Sequence, residues 1–189
     1  MTFQIVHARR PLARKSMRAG LAPLGPDQFE GYASLWGVVD GAGDSVAPGA
    51  FAASLRRRGP SQVRLLYQHF AHAPIGVWEE IAEDSRGLYV RGRLIREVEQ
   101  ARDVRALLAE GALNGLSIGF RTVRAKRGGP SSLLKARRTL LEIELWEISV
   151  VTFPLLAGST VTAIGNRAPP MSGSNLAQII REAGAAISV

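Results

Sequence analysis

TLLEIELWEISVVTF, residues 139–153, is a run of leucine, β-branched and aromatic residues in which acidic residues alternate with apolar ones. This pattern predicts a long β-strand, and a strand of this length must bend or break near Trp146. Uninterrupted alternation places Glu147 on the apolar face with Ile143 and Leu145. A carboxylate there needs a partner, for which a histidine is suited. The alternative is a bulge at Trp146, which turns Glu147 outward.

Shorter elements surround this strand. Apolar and β-branched runs predict further strands at residues 30–39, 63–67, 75–82, 88–95 and 116–122. One helix is predicted to open at Pro48 and to end with three arginines at residues 56–58, and a second is predicted at residues 99–110, before Gly111. Many short strands with peripheral helices predict a mainly β (α+β) fold, with an antiparallel β-barrel or sandwich at its centre.

The net charge of +8 is concentrated in two segments. Residues 1–20 carry five basic residues and no acid, and residues 121–138 carry seven basic residues and no acid. The remaining chain has 12 basic residues against 16 acidic ones. Because residues 121–138 hold no aromatic side chain, the pattern favours solvated or partner-docking segments, with nucleic-acid contact as the less favoured alternative.

Composition divides the chain into three parts. Residues 1–26 are basic and punctuated by proline, which predicts a mobile arm. Residues 27–166 form the body of the protein. Residues 167–189 are rich in Pro, Gly, Ala and Ser, which predicts a flexible C-terminal tail that could carry one short helix. Within the body, residues 128–132 are expected to form a flexible loop.

Several classes of protein are excluded by composition. The chain has no cysteine, so it has no disulfide, no thiolate metal site and no cysteine nucleophile. No phosphate-binding glycine motif and no metal-ligand spacing is present, and we therefore expect neither a cofactor nor a metal. No apolar run approaches the ~20 residues that span a bilayer. The basic N-terminus lacks the apolar stretch of a secretory signal, which predicts a cytoplasmic protein.

Ser117 lies in GLSIGF, residues 115–120, which matches the pattern G-x-S-x-G. The order of an α/β-hydrolase triad is excluded, because no histidine follows Ser117. Strand alternation turns Ser117 away from the apolar side chains, beside Gly119, where another backbone could approach closely. His69 follows a predicted strand and could act as a general base, with His72 in the same loop as the second candidate. A plain surface serine and two loop histidines without a role are the alternatives.

Several motifs occur together in an order that resembles one known family. They are GYASLWGVVDGAGDSVAPGAFAASL, LLYQH, PIGVW, GLYVRGRL, GALNGLSIGF and LWEISVVTFPLLAGSTVTAI, within residues 29–164. This series is similar to the prohead maturation proteases of Hong Kong 97-type tailed phages. The resemblance implies a serine endopeptidase whose antiparallel β-barrel is similar to that of the herpesvirus assemblins.

The resemblance also implies the site, the partners and the place of action. Ser117 would be the nucleophile, His69 its base and Glu147 the acid. From the strand pattern, Glu144 is the reserve acid if the strand is bulged, and His72 is the rival third member. The substrate would be the scaffold, or the scaffold-like arm of the major capsid protein, and then the protease itself. The enzyme would act inside the assembling procapsid, in the cytoplasm of a bacterial host that carries a phage, a prophage or a gene transfer agent. The competing hypothesis is an inactive basic component of the particle that is structural or contacts DNA.

Overall fold

The computed structural model describes residues 23–128 and 136–165. Eight strands form one sheet: β1 Gln28–Leu35, β2 Asp44–Val46, β3 Arg64–Tyr67, β4 Pro74–Glu83, β5 Gly87–Leu94, β6 Gly115–Arg127, β7 Arg138–Val151 and β8 Val161–Ile164. Two helices accompany it, α1 Ala52–Arg58 and α2 Glu99–Ala109. Neither of these described helices is long and apolar enough to cross a membrane. Residues 1–22 of the predicted arm and the predicted tail at 167–189 lie outside the described residues.

The sheet curls back on itself. Its strands follow the order β2-β7-β3-β4-β5-β1-β8, and β6 pairs with β7 outside this path. The start of β6 also approaches the chain before β8, through a bridge between Gly115 and Thr160 and a hydrogen bond from Leu116 N to Ser159 O of 2.8 Å. The prediction of a mainly β fold with peripheral helices is confirmed. The pairing is not wholly antiparallel, because β7 runs parallel to both β2 and β3.

Both parallel pairs lie along the same edge of β7. The chain from β2 through α1 to β3 runs along this edge, so that β2 pairs with residues 138–140 and β3 with residues 147–150. Between the two strands, Ile143 N donates to Ala50 O at 3.0 Å and Leu145 N donates to the hydroxyl of Ser54 at 2.9 Å. The backbone of β7 is therefore satisfied even where a helix replaces a strand beside it.

The interior is filled by apolar side chains from the sheet and both helices. Its fully buried members include Phe29, Phe51, Leu65, Ile75, Leu88, Val104, Leu116, Ile143, Leu145 and Ile148. Phe29 and Trp78 meet edge to face, with ring centroids 5.6 Å apart. Because α1 and α2 each bury one side in this core, they are held by packing more than by their own short length.

The locally encoded elements agree with the sequence. The β4–β5 hairpin turns at Asp84, whose carboxylate accepts hydrogen bonds from Arg86 N at 2.8 Å and Gly87 N at 3.0 Å. Helix α2 has the expected bounds, and Gly111 follows it with φ 72°, a left-handed conformation that suits glycine. Two short strands, β2 and β8, were not predicted. β2 begins at Asp44, directly after the stretch Gly-Ala-Gly at residues 41–43.

The basic segment at residues 121–138 is not wholly a loop. Residues 121–127 extend β6, and two of their arginines face acids on β7. Arg121 contacts Glu144 at 2.8 Å and Arg124 lies 3.8 Å from Glu142. The absence of acids in this stretch of sequence was misleading, because the balancing carboxylates come from the next strand. Residues 129–135, which include most of the predicted loop, are outside the described part.

The hydroxyl of Ser54 generates a prediction about stability. Ser54→Ala removes the acceptor of the buried Leu145 N–H, and an unsatisfied buried donor costs about 1–3 kcal/mol. We expect this variant to lower the free energy of unfolding by an amount in that range, despite the better helix propensity of alanine. Ser61→Ala is the control, because Ser61 is exposed. Denaturant unfolding of both variants measures the effect. Equal stability of the two variants would contradict this role.

Candidate active site

The loop after β3 places His69 in an unusual backbone conformation. Gln68 and His69 have φ values of 52° and 61°, and non-glycine residues rarely adopt this left-handed region. Two bonds to β7 hold the loop there: Gln68 N donates to Val150 O at 3.0 Å, and His69 N donates to the hydroxyl of Ser149 at 3.1 Å. The side chain of Gln68 also donates to Thr152 Oγ1 at 2.7 Å. The position of the His69 ring therefore depends on contacts with β7.

His69 is paired with Glu147. Its Nδ1 lies 2.6 Å from Glu147 Oε1. The other carboxylate oxygen, Oε2, accepts a hydrogen bond of 2.6 Å from the hydroxyl of Ser149. The side chain of Glu147 is 13% exposed and that of His69 is 45% exposed. The imidazole can thus meet a substrate, while the carboxylate that orients it is largely shielded from water.

A bulge at Trp146 decides where Glu147 points. Gly119 pairs with Glu147, whereas the next residue of β6, Phe120, pairs with Leu145, so β7 has one extra residue here. Trp146 is exposed, and Leu145 and Ile148 are both fully buried. The expectation that Glu147 shares the apolar face of Leu145 is therefore wrong, since the bulge shifts the alternation by one residue. The expectation of a histidine partner holds on the opposite face.

Gly119 makes room for the carboxylate. A Cβ atom at this position would overlap the carboxyl group of Glu147. The sequence predicts that another backbone approaches Gly119, but the group that lies there is the side chain of Glu147. Because the ladder pairs Gly119 directly with Glu147, the missing side chain lets the carboxylate lie across β6 toward His69.

Ser117 lies on the same face of β6, two residues before Gly119. Its register partner on β7 is Ser149. Ser117 is partly buried, and no side-chain hydrogen bond of its hydroxyl is present among the described residues. Ser149 is fully buried, and its hydroxyl is engaged by both His69 and Glu147. Of the two serines, Ser117 is the one whose hydroxyl is available for a reaction.

The rival residues from the sequence do not join this group. His72 is exposed and stacks on Phe70, with ring centroids 5.4 Å apart. Glu144 lies between Arg58, at 2.7 Å, and Arg121, at 2.8 Å. Hydrogen bonds from these two arginines lower the pKa of Glu144 to about 2. This acid is therefore committed to guanidinium groups, away from the imidazole of His69.

Ser149 has no predicted role in the sequence analysis, although the sequence contains a signal for it. Residues two apart on a strand share a face, so Ser149 in LWEIS had to lie beside Glu147 whichever way the bulge turned them. The contact with His69 had no such signal, because it depends on the parallel pairing of β3 with β7.

The chain is similar in sequence to a known phage protein and in fold to several solved structures. The prohead protease of Enterobacteria phage HK97 is 37% identical over 131 residues, which cover 67% of this chain and 55% of that protein. The chain thus spans little more than half the length of this relative. Among solved structures, the KSHV protease in complex with a hexapeptide phosphonate inhibitor has a TM-score of 0.46 at 12% identity, covering 84% of this chain and 76% of that one. The varicella-zoster virus protease has a TM-score of 0.45 at 14% identity, with the same coverages of 84% and 76%.

A family profile matches residues 18–172, which include every strand and helix described above. Ser117, His69 and Glu147 all fall within the matched range. The chain belongs to the family of Caudovirus prohead serine proteases.

Proposed function

We propose that this chain is a serine endopeptidase of procapsid maturation, with Ser117 as nucleophile, His69 as general base and Glu147 as the acid that orients His69. Its substrate is the scaffold, or the scaffold-like arm of the major capsid protein, and then the protease itself. It acts inside the assembling procapsid in the bacterial cytoplasm. Family membership supports the reaction class, and the side-chain geometry supports the assignment of roles.

The contact between His69 Nδ1 and Glu147 Oε1, at 2.6 Å, is the observation that carries this proposal. A carboxylate on Nδ1 fixes the ring so that Nε2 is the nitrogen left to take a proton. Ser117 faces the same side of the sheet, on the strand that pairs with the one bearing Glu147. The proposed nucleophile, base and orienting acid lie on three adjacent strands or directly after one of them.

The reaction that follows is acyl transfer. His69 Nε2 accepts the proton of Ser117 as Oγ attacks the scissile carbonyl carbon, and Glu147 stabilises the imidazolium that forms. His69 then gives the proton to the leaving amine, and the peptide bond breaks. Water, activated in the same way by His69, hydrolyses the acyl-enzyme and releases Ser117. No cofactor is needed for any of these steps.

A basic surface next to the site supports an acidic partner. We define it by Arg56, Arg57 and Arg58 at the end of α1 and by Arg121 and Arg124 on β6. Glu144 joins the two groups, because it contacts both Arg58 and Arg121. Glu144 and Glu142 balance Arg58, Arg121 and Arg124, so Arg56 and Arg57 are the exposed cations of this surface that have no ion pair among the described residues. Exposed charges of one sign steer an oppositely charged partner at moderate ionic strength. An acidic segment of scaffold or capsid arm fits this surface, with nucleic acid as the less favoured occupant.

The same basic surface is what favours the second candidate function, an inactive structural or DNA-contacting component. Such a protein would need the charge but not the carboxylate–imidazole pair. Loss of proteolysis on changing Ser117 alone separates the two, because a structural component has no activity to lose.

Ser117→Ala tests the nucleophile. We expect capsid-protein trimming to fall by several orders of magnitude, because triad losses typically have effects of that size, while the fold is retained. The measurement is the mass of the capsid protein after co-expression with each form of the chain, with circular dichroism as the check on folding. Normal trimming by the purified variant would show that Ser117 is not the nucleophile.

Glu147→Gln tests the acid, with His72→Ala and Glu144→Gln as matched controls. An orienting acid contributes less than the serine or the histidine, so Glu147→Gln should lower the acylation rate strongly but leave measurable activity. His72→Ala should be nearly neutral and Glu144→Gln mild. Single-turnover cleavage of a peptide that spans the trimmed site measures all three. An inactive His72→Ala beside a near-normal Glu147→Gln would point to a Ser-His-His arrangement instead.

The double variant Arg56→Ser/Arg57→Ser tests the basic surface. We expect several-fold less protease in purified procapsids, and a weaker salt dependence of binding to the scaffold-bearing capsid protein. The control is Arg93→Ser/Arg102→Ser, which removes the same two charges from exposed positions elsewhere. Peptide cleavage reports whether each variant is folded. Equal incorporation of the two variants would mean that total charge, and not this surface, recruits the protease.

A further inference from the structure

We propose that Ser149 is a positioning residue for the reaction: its hydroxyl holds the backbone of His69 and the carboxylate of Glu147 in the arrangement that Ser117 needs. This rests on the proposed function for its kinetic consequence, although the geometry itself does not depend on it.

Ser149 touches both members of the pair. Its oxygen accepts a hydrogen bond of 3.1 Å from His69 N, and its proton is donated to Glu147 Oε2 at 2.6 Å. It is fully buried and lies opposite Ser117 in the ladder. One hydroxyl therefore connects the backbone of His69 with the side chain of Glu147, at the register position opposite Ser117.

The backbone contact matters because His69 is in a strained conformation. A non-glycine residue at φ 61° is in a sparsely populated region and persists only when its surroundings hold it. The bond to Ser149 is one of the contacts that hold this loop. Without it, the buried side of the loop has a donor with no partner, and the backbone can relax toward a commoner conformation that moves the ring.

The carboxylate contact matters because one oxygen alone does not fix a glutamate. His69 uses Glu147 Oε1, and the bond from Ser149 to Oε2 is the second contact that opposes rotation of the carboxyl group. The hydroxyl proton of Ser149 is directed at this oxygen, and its accepting lone pair is directed at His69 N. Both functions of the hydroxyl are thus occupied, which also makes Ser149 unsuited to be a second nucleophile.

Replacement of Ser149 should therefore lower turnover more than substrate binding. Misplacement of catalytic groups by about 1 Å can cost 10²-fold in rate. For Ser149→Ala we expect kcat to fall about 10- to 100-fold with KM within about threefold, as for groups that act mainly in the transition state. Ser149→Thr, which keeps the hydroxyl, should restore most of kcat. The substrate is a peptide that spans the site trimmed in the capsid protein.

Ser159→Ala is the matched control. Ser159 is fully buried as well, but its hydroxyl has no hydrogen-bond partner within the described residues. Its loss should leave kcat unchanged. Should Ser149→Ala fail to fold, Ser149→Cys keeps the volume with a much weaker donor and acceptor, and the same fall in kcat is expected. A normal kcat for a folded Ser149→Ala or Ser149→Cys, or an equal fall in Ser159→Ala, would overturn the proposal.

A spectroscopic readout separates this proposal from the proposed function. In the Ser117→Ala background, which prevents self-cleavage, the Nδ1 proton of His69 bonded to Glu147 should give a downfield proton resonance that is absent from a His69→Gln variant. Adding Ser149→Ala should shift or broaden this resonance, and adding Ser159→Ala should not. An unchanged resonance with Ser149→Ala would overturn the positioning role. If Ser149→Ala changes the resonance but the unmodified chain cleaves nothing, the positioning role stands and the protease function fails.

Discussion

Strand β7 is the element on which the rest of the molecule depends, because both of its edges are occupied along nearly its whole length. β6 pairs with one edge, and β2, α1 and β3 follow one another along the other. Adjacent strands lie about 4.8 Å apart, so residues at matching registers on three strands are automatically close. Ser117 is in register with Ser149, and Tyr67 at the end of β3 is in register with Val150, two and three residues along β7 from Glu147. The site therefore needs no long loop to assemble it.

Glu144 and Glu147, two acids of β7 near the site, have different partners. Glu144 is held by Arg58 and Arg121, and its pKa is lowered to about 2, whereas Glu147 is turned to His69. The bulge at Trp146 separates them. Arg58 and Arg121 bind Glu144, so they are not available to bind Glu147. Glu147 therefore stays paired with His69, although several arginines lie nearby.

Local sequence patterns predicted the β4–β5 hairpin and α2, whereas the strand pairings between distant segments could not be predicted from them. The β4–β5 hairpin and α2 follow from turn residues and periodicity within the segment itself, and both have the expected positions. The parallel pairing of β3 with β7 joins residues about 80 positions apart in sequence, and no short-range signal encodes it. Glu147 was singled out for its need of a partner, but on the wrong face, because an alternation rule cannot see one extra residue in a strand. Family resemblance, and not periodicity, is what joined Ser117 to His69.

The match of residues 115–120 to a hydrolase pattern has a different physical origin here. A side chain at position 115 would overlap the backbone of Val151 and the ring of Pro154. A side chain at position 119 would overlap the carboxyl group of Glu147, which lies across the backbone of β6 there. One glycine thus serves the architecture and, under the proposed function, the other makes room for the orienting acid. If the proposed activity is lost in a related chain, the first glycine is still required, whereas the second position can acquire a side chain. The residue at position 119 would then indicate whether the His69–Glu147 pair can form, even in a chain that keeps the serine and the histidine.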